Sequence, residues 1–347
     1  MAISSKANVL LVGSGGVGTM GAYALESGGL AEVTAVLRSN FSTVSEKGFD
    51  ISSIDHGEVK AWKPKKIVSQ VPDVSDEGVV PFDFVVVSTK NVADVSPTVV
   101  DIIAPAVTAG HTAIVLLQNG LNIEVPVIAA FPQNVVISGV SRIGAAETSH
   151  GVIVHNDRDR LHIGPFDNAN LPAELQTATA QRFATMYGAS GKVVVEFGAT
   201  AQEVAWTRWR KLIYNACYNS IAAVTLLDSG RLRLARSPVV ELLRPAMLEI
   251  VAIAKAQGHV LPLELVEEII EAEPIEIYFK PSMQQDVEKG NYTEFENIVG
   301  EPLRTARKLG VPAPTLTVLY GILRAMQWRT KEQKGLITLE SARAQLA

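Results

Sequence analysis

Cysteine is nearly absent from this chain: Cys217 is the one thiol among 347 residues. A single thiol forms no intramolecular disulfide and no thiolate zinc site, which excludes the stapled secreted scaffolds and the zinc-finger classes. Charge of one sign is also scarce. Lys and Arg number 31 against 36 Asp and Glu, a net charge of −5 with no long basic run, so a nucleic-acid partner is not expected. No apolar stretch approaches the ~18–20 residues of a membrane span. The first apolar run, Val9–Val12, is too short for a signal-peptide core. Six histidines are present without H-E-x-x-H or similar spacing, so no metal is expected. The expectation is a soluble, cytoplasmic protein of two domains, at roughly 100–200 residues per domain.

What is present changes character near residue 200. Before it, short β-branched runs recur at Val9–Val12, Val33–Leu37, Phe84–Val87, Ala113–Leu117, Val135–Ile137, Val152–Val154 and Val193–Val195. Helix-like stretches, among them Val17–Ser27 and Asp94–Ala106, lie between several of them. Strand and helix in alternation predict βαβ units in an α/β fold, a Rossmann-type doubly wound parallel sheet. From Thr200 onward the pattern is helical: Gln202–Val224, Ser237–Gln257, Leu263–Ala272, Glu294–Leu309 and Thr315–Gln327, separated by Gly, Asn and Pro turns. The expected division is therefore 1–199 for the sheet domain and 200–347 for an all-α domain.

The strongest motif is Gly13-Ser14-Gly15-Gly16-Val17-Gly18, which follows the first strand and opens a helix. In that setting the first glycine permits the turn, the second lets a pyrophosphate approach, and the third brings helix and strand close. The bland reading, a glycine-rich turn that binds nothing, is less favoured by this strand–turn–helix placement. An NAD site usually carries Asp or Glu at the tip of the second strand. Here that tip reads Arg38-Ser39-Asn40, and a guanidinium there pairs with a 2′-phosphate, pointing to NADP(H) rather than to a solvated surface Arg. Lys90 ends the strand Phe84–Val87 through Ser88-Thr89, and Asn119 follows Ala113–Leu117. Each alone reads as a loop residue; together they sit at strand carboxyl ends, where open α/β sheets bind ligands.

In the first long helix Lys211, Asn215 and Asn219 fall at i, i+4 and i+8 on one face, with Ile213, Cys217 and Ile221 opposite. The alternative is a solvated stripe on an amphipathic helix. The chemical reading is a Lys acting as general acid beside two amides that hold a polar substrate. Cys217 reads as packing. Thr293 and Glu296 have the spacing of a capping box, placing Glu294 in a first helical turn.

These residues resemble the ketopantoate reductases (2-dehydropantoate 2-reductases) along nearly the whole chain. The resemblance rests on the glycine loop, Arg38, the Ser-Thr-Lys ending in Lys90, and Leu117-Gln118-Asn119-Gly120. It extends through Arg208-Trp209-Arg210-Lys211-Leu212 with Asn215 and Asn219, and through Pro281–Asp286 with Thr293-Glu294. It implies a Rossmann domain, a helical domain like that of 6-phosphogluconate dehydrogenases, and an active site in the cleft between them. By position it assigns NADPH to Gly13–Gly18, Arg38, Lys90 and Asn119, with Ala145 near the nicotinamide and Glu294 closing on cofactor or substrate. It makes Lys211 the proton donor and gives the substrate's hydroxyl and carboxylate to Asn215, Asn219 and Ser282, with Asn119 sharing that task. Family members often carry Asn where this chain has Ser229, which leaves room for a different substrate tail. Two rivals stand beside this reading: a same-fold NADPH-dependent reductase of another 2-oxo acid or an imine, and a non-catalytic NADP(H)-binding redox regulator. The oligomeric state is not encoded in any motif, although the apolar C-terminal helices could supply a homodimer interface.

Overall fold

The computed structural model describes residues 6–344; the outer ends of the expected division, 1–5 and 345–347, lie outside them. Ten strands occur among these residues: β1 (Ala7–Val12), β2 (Ala31–Val36), β3 (Phe49–Ser53), β4 (Gly57–Trp62), β5 (Lys66–Val68), β6 (Phe84–Val87), β7 (Ala113–Leu116), β8 (Val136–Ser149), β9 (Val152–Pro165) and β10 (Val194–Phe197). Five helices accompany them: α1 (Gly16–Ser27), α2 (Phe41–Lys47), α3 (Val99–Ile103), α4 (Val125–Ala130) and α5 (Ala173–Gly188). The helices α6 (Ala201–Leu212), α7 (Asn219–Thr225), α8 (Ser229–Ala235), α9 (Arg244–Ala256), α10 (Glu264–Glu271), α11 (Ser282–Glu288), α12 (Glu301–Leu309), α13 (Pro314–Gln333) and α14 (Leu339–Ala344) complete the chain.

The chain forms two compact units. The first runs from the amino end through Asn91 and adds Ser96–Gln118 and Ile123–Val204. The second gathers Val92–Val95, Asn119–Asn122 and everything from Ala205.

In the first unit one sheet runs β4-β3-β9-β8-β7-β6-β1-β2-β5, with β10 on β9. The segment β5-β2-β1-β6-β7-β8 is parallel throughout. Counted along the chain this is the order 3-2-1-4-5-6 of a dinucleotide-binding sheet, whose reversal between β1 and β6 marks the ligand crevice. The pleat of β1 shows why both faces must be covered. Val9 and Leu11 pack on one side with Met20 and Leu25 of α1 and Phe183 of α5. Leu10 and Val12 pack on the other with Ile103 of α3 and Val127 of α4. A strand buried on two faces reads as an unbroken apolar run, which is the pattern seen.

Two expectations change here. The stretch Asp94–Ala106 is helical only from Val99, followed by a 3₁₀ turn at Ala104–Ala106. Pro97 disfavours helix in the residue before it, and Thr98 starts the helix through a capping box with Asp101. The short runs at Val135–Ile137 and Val152–Val154 belong to 14-residue strands, β8 and β9, paired antiparallel around His150-Gly151. Their polar outer halves hid the length of the hairpin.

In the second unit helices enclose one apolar core that includes Trp209, Ile213, Cys217, Ile250, Val299 and Leu316. The expected helix over Gln202–Val224 is continuous, but its middle, Ile213–Tyr218, is a π-helix. Val239–Leu243 and Glu296–Gly300 are likewise π-helical. The capping box at Thr293 and Glu296 does not form. Gln327 Oε1 accepts from the Thr293 N–H at 3.1 Å and from its hydroxyl at 3.4 Å, while Arg304 and Tyr320 take the Glu296 carboxylate. Helical bonding still begins at Glu294, whose carbonyl accepts from the Ile298 N–H at 3.1 Å.

Candidate active site

In the first unit the glycine loop lies at the switch point of the sheet. Gly13 has φ +106°, and a Cβ there would meet Thr89 N at 2.6 Å. A Cβ on Gly18 would lie 1.8 Å from the Gly13 carbonyl oxygen, so only glycine lets α1 pack this close to the loop. Gly15 differs: a Cβ would meet nothing within 4 Å. It is the N-cap of α1, with no side-chain cap and no acidic residue in the first turn. An open glycine at an uncapped, unopposed helix start fits a pyrophosphate, because the first N–H groups and the helix dipole are both unspent.

The loop is braced on several sides. Ser14 donates its hydroxyl to the Val36 carbonyl at 3.1 Å, tying loop to β2. Ser88 donates to the Gly13 carbonyl at 2.6 Å, and Gln118 donates to the Thr89 carbonyl at 2.7 Å. The carboxyl ends of β1, β6 and β7 are thus laced together. Arg38 is exposed just past β2, and Lys90 is exposed in the turn after β6. Ala145 places its carbonyl against Gly16, where a Cβ would come within 2.4 Å, so its backbone lies at the start of α1, the turn that also holds Val17. Asn40, at the same strand tip as Arg38, has no amide N–H left for a phosphate. Its two amide N–H groups go to the Ser14 carbonyl at 3.1 Å and to Glu147 Oε1 at 2.9 Å.

In the second unit the segment Asn119–Asn122 is clamped by helical side chains. Among the bonds of Lys211 is one from Nζ to Asn119 Oδ1 at 2.8 Å. Arg208, one turn earlier on α6, donates to the Gly120 carbonyl at 2.9 Å. Leu121 donates its N–H to the Asn297 carbonyl at 2.8 Å, and Asn122 donates to Glu301 Oε2 at 2.7 Å. Gly120 has φ +107°, and a Cβ would meet that of Asn297 at 2.5 Å. With Oδ1 accepting from an ammonium group, the NH₂ end of Asn119 is the donor end of its amide.

The amides beyond Lys211 divide into two kinds. Eight residues along an ideal α-helix drift by about 80° from a straight row. The wider π turn at Ile213–Tyr218 removes part of that drift and brings Lys211, Asn215 and Asn219 nearer to one line. Asn219 is 2% exposed and committed: Met283 N–H donates to Oδ1 at 2.6 Å, and Nδ2 donates to Ser282 Oγ at 3.0 Å. This pair ties α7 to the start of α11 and leaves the Ser282 hydroxyl proton as a donor. Asn215 is 8% exposed, and its amide makes no hydrogen bond among the described residues. Glu294 is buried at the head of its helix. Cys217 is fully buried, and burial pushes its thiol up, so it is packing.

Arg208, Asn297 and Glu301 carry no role that local sequence patterns assign. Arg208 lies three residues before Lys211 on the same helix and belongs to the Arg208–Leu212 motif of the resemblance, which assigns it no role of its own. Asn297 and Glu301 contact the Asn119–Asn122 segment across 176 and 179 positions, which no local pattern reports. Among the described residues no group of three or more His, Cys, Asp or Glu side chains could hold a metal ion. No helix among them is long and apolar enough to cross a membrane.

The strand order, the glycine loop and the open Gly15 define a dinucleotide-binding fold of the NAD(P)-dependent dehydrogenase class. Residues 9–168 match the family model described as ketopantoate reductase PanE/ApbA, and residues 203–327 match its C-terminal counterpart. The chain belongs to the ketopantoate reductase family. It is 35% identical to an uncharacterized protein of Saccharomyces cerevisiae, over 97% of this chain and 98% of that one. The crystal structure of 2-dehydropantoate 2-reductase from Methylococcus capsulatus matches with a TM-score of 0.75 at 30% identity, covering 93% of this chain and 97% of that one. A ternary structure of D-mandelate dehydrogenase with NADH and anilino(oxo)acetate matches with a TM-score of 0.75 at 19% identity, covering 93% and 99%, which is a likeness of fold alone.

Proposed function

We propose that this chain reduces a 2-oxo acid with NADPH, with ketopantoate (2-dehydropantoate) as the substrate and (R)-pantoate as the product, a step of pantothenate biosynthesis in the cytoplasm. The observation that carries the reading is the Lys211–Asn119 contact at 2.8 Å. It supports the reading because a cationic donor beside an amide suits a developing alkoxide. In this reading residues 1–199 hold the cofactor and residues 200–347 hold the substrate and supply its proton. NADPH, when bound, supplies the hydride.

The Gly13–Gly18 loop and the head of α1 take the pyrophosphate. Arg38 takes the 2′-phosphate through paired N–H bonds, and Lys90 adds a second cation. By the resemblance, Ala145 in the first unit and, separately, Glu294 in the second are also assigned to the cofactor. As the carbonyl carbon gains the hydride, negative charge grows on its oxygen. Lys211 stabilises that oxygen and delivers the proton, while Asn119 donates beside it. Asn215 offers an amide with both ends open, and Ser282 offers a hydroxyl proton to the substrate's carboxylate. Asn219 serves the substrate chiefly by holding Ser282.

Ser229 bears on the substrate's tail. Its hydroxyl donates to Glu273 Oε2 at 3.0 Å, so the position where relatives often carry Asn is here occupied by a short side chain engaged with a carboxylate. The test is NADPH oxidation with ketopantoate and a panel of small 2-oxo acids, comparing wild type with Lys211→Ala. Turnover with ketopantoate that disappears in the variant supports the full reading. Turnover with another 2-oxo acid alone replaces the substrate, and no turnover on any carbonyl despite tight NADPH binding overturns the reductase reading.

A further inference from the structure

The tip of β2 lacks the acidic residue that dinucleotide folds usually place there, yet a carboxylate reaches it from elsewhere. Glu147 lies near the outer end of β8, 107 positions from Asn40. Asn40 follows β2 and is 3% exposed. One of its amide N–H groups donates to the Ser14 carbonyl in the glycine loop, and the other to Glu147 Oε1 at 2.9 Å. The Gly151 N–H donates to the same oxygen at 2.9 Å. Both bonds fall on Oε1. The second oxygen, Oε2, makes no hydrogen bond among the described residues, although Glu147 is half-buried. Arg38, two residues before Asn40, is exposed beside it.

We propose that Glu147 is a cofactor-selecting residue: its open oxygen accepts from an adenosine-ribose hydroxyl and limits the preference for NADPH over NADH. The inference rests on the dinucleotide reading of the loop and deepens it. A carboxylate at this tip favours a ribose 2′-hydroxyl, which donates to it, and disfavours a 2′-phosphate, which brings like charge. Arg38 exerts the opposite demand. Two residues of opposite sign, one just past β2 and one from β8, then set the cofactor preference between them. The bond to Asn40 fixes Glu147 in place, and through Asn40 the same carboxylate also braces the Ser14 carbonyl. Selection and bracing are separable roles.

Titration of reduced-nicotinamide fluorescence with NADPH and with NADH separates them. Glu147→Gln keeps an acceptor for Asn40 and Gly151 while removing the charge. The expected result is weaker NADH binding with NADPH binding unchanged or tighter, so that the NADPH preference widens about tenfold, the scale of one charge-assisted hydrogen bond. Affinities for both cofactors that move in parallel, or an unchanged ratio, would leave Glu147 a brace only and overturn the proposal. Asn40→Ala, which removes the brace, is expected to weaken both cofactors alike. Arg38→Ala, at an exposed position, supplies an independent arm: NADPH affinity falls while NADH is retained through Glu147. Equal loss of both in that variant also overturns the proposal. A wild-type chain that binds neither cofactor would instead remove the dinucleotide reading, and this inference with it.

Discussion

Lys211 and Asn119 are 92 positions apart in the chain and meet at 2.8 Å, the ammonium group donating to the amide oxygen. The contact fixes the amide's orientation and holds the ammonium group of a half-buried Lys at one point. General acid catalysis by a positioned side chain is worth ~10²–10⁴ in rate. Lys211→Ala is therefore expected to lose turnover on that scale with NADPH affinity nearly unchanged. Arg at this position should not restore it, because a guanidinium does not give up its proton. Steady-state kinetics beside a fluorescence titration of NADPH check both halves, and equal loss of cofactor affinity would move Lys211 out of the catalytic role.

Gly15 and Gly18 belong to one motif and predict opposite phenotypes. Gly15 has φ −82°, ordinary for any residue, and open space where a Cβ would go. Gly15→Ala is expected to keep the melting temperature of the wild type and to bind NADPH more weakly, since the methyl group occupies the space for the pyrophosphate. Gly18→Ala sets a methyl carbon 1.8 Å from the Gly13 carbonyl oxygen and must displace α1. It should lower the melting temperature as well as the affinity. Identical behaviour of the two variants would mean that Gly15 lines no ligand.

Asp159 carries a pH dependence that is independent of the active site. Burial raises its carboxyl to about 6, the Tyr187 hydroxyl bond at 2.8 Å opposes the rise, and the charge of Asp55 adds to it. A value above the ordinary 3.8 means that the folded chain binds this proton more tightly than the unfolded chain does. The stability tied to this group is thus full below about pH 3.8 and is lost as pH rises through about 6. The size is about 3 kcal/mol, from ~1.4 kcal/mol per pKa unit. Asp159→Asn keeps an acceptor for Tyr187 and is expected to flatten the stability profile across that window, with a gain above pH 6. Denaturant midpoints measured across the window check this, and parallel profiles for variant and wild type would refute it.

What local sequence encodes in this chain follows the range of the interactions. The glycine loop, the buried strands β1, β2, β6 and β7, and the Lys211 helix are written in periods of a few residues, and they stand where the sequence places them. Residues that act at long range were invisible. Glu147 sits in a polar stretch that signals no strand, because a hairpin edge facing water carries no hydrophobic alternation. Asn297 clamps Leu121 by accepting from its N–H and donating to its carbonyl, and backbone contacts of this kind leave no residue-type signature. The capping box at Thr293 failed for a related reason: Gln327, from α13, reaches the Thr293 N–H first. The π turn in the Lys211 helix was equally hidden, since it is a choice of hydrogen-bond register that the side-chain pattern permits in either form.

Asn215 and Asn219 look equivalent in sequence and are not equivalent in the fold, which yields the sharpest separation. The Asn219 oxygen satisfies the Met283 N–H at 2.6 Å, in a setting where the donor has no access to water. Asn219→Ala strands that donor at a cost of about 1–3 kcal/mol and releases Ser282. It is expected to lower the melting temperature and to raise KM together. Asn215 makes no bond to lose, so Asn215→Ala is expected to leave the melting temperature unchanged while KM for the 2-oxo acid rises about tenfold, the loss of one buried hydrogen bond to a charged group. Kinetics and thermal unfolding on the same two preparations decide the matter. A destabilised Asn215→Ala with unaltered KM would show that its open amide meets solvent and not substrate.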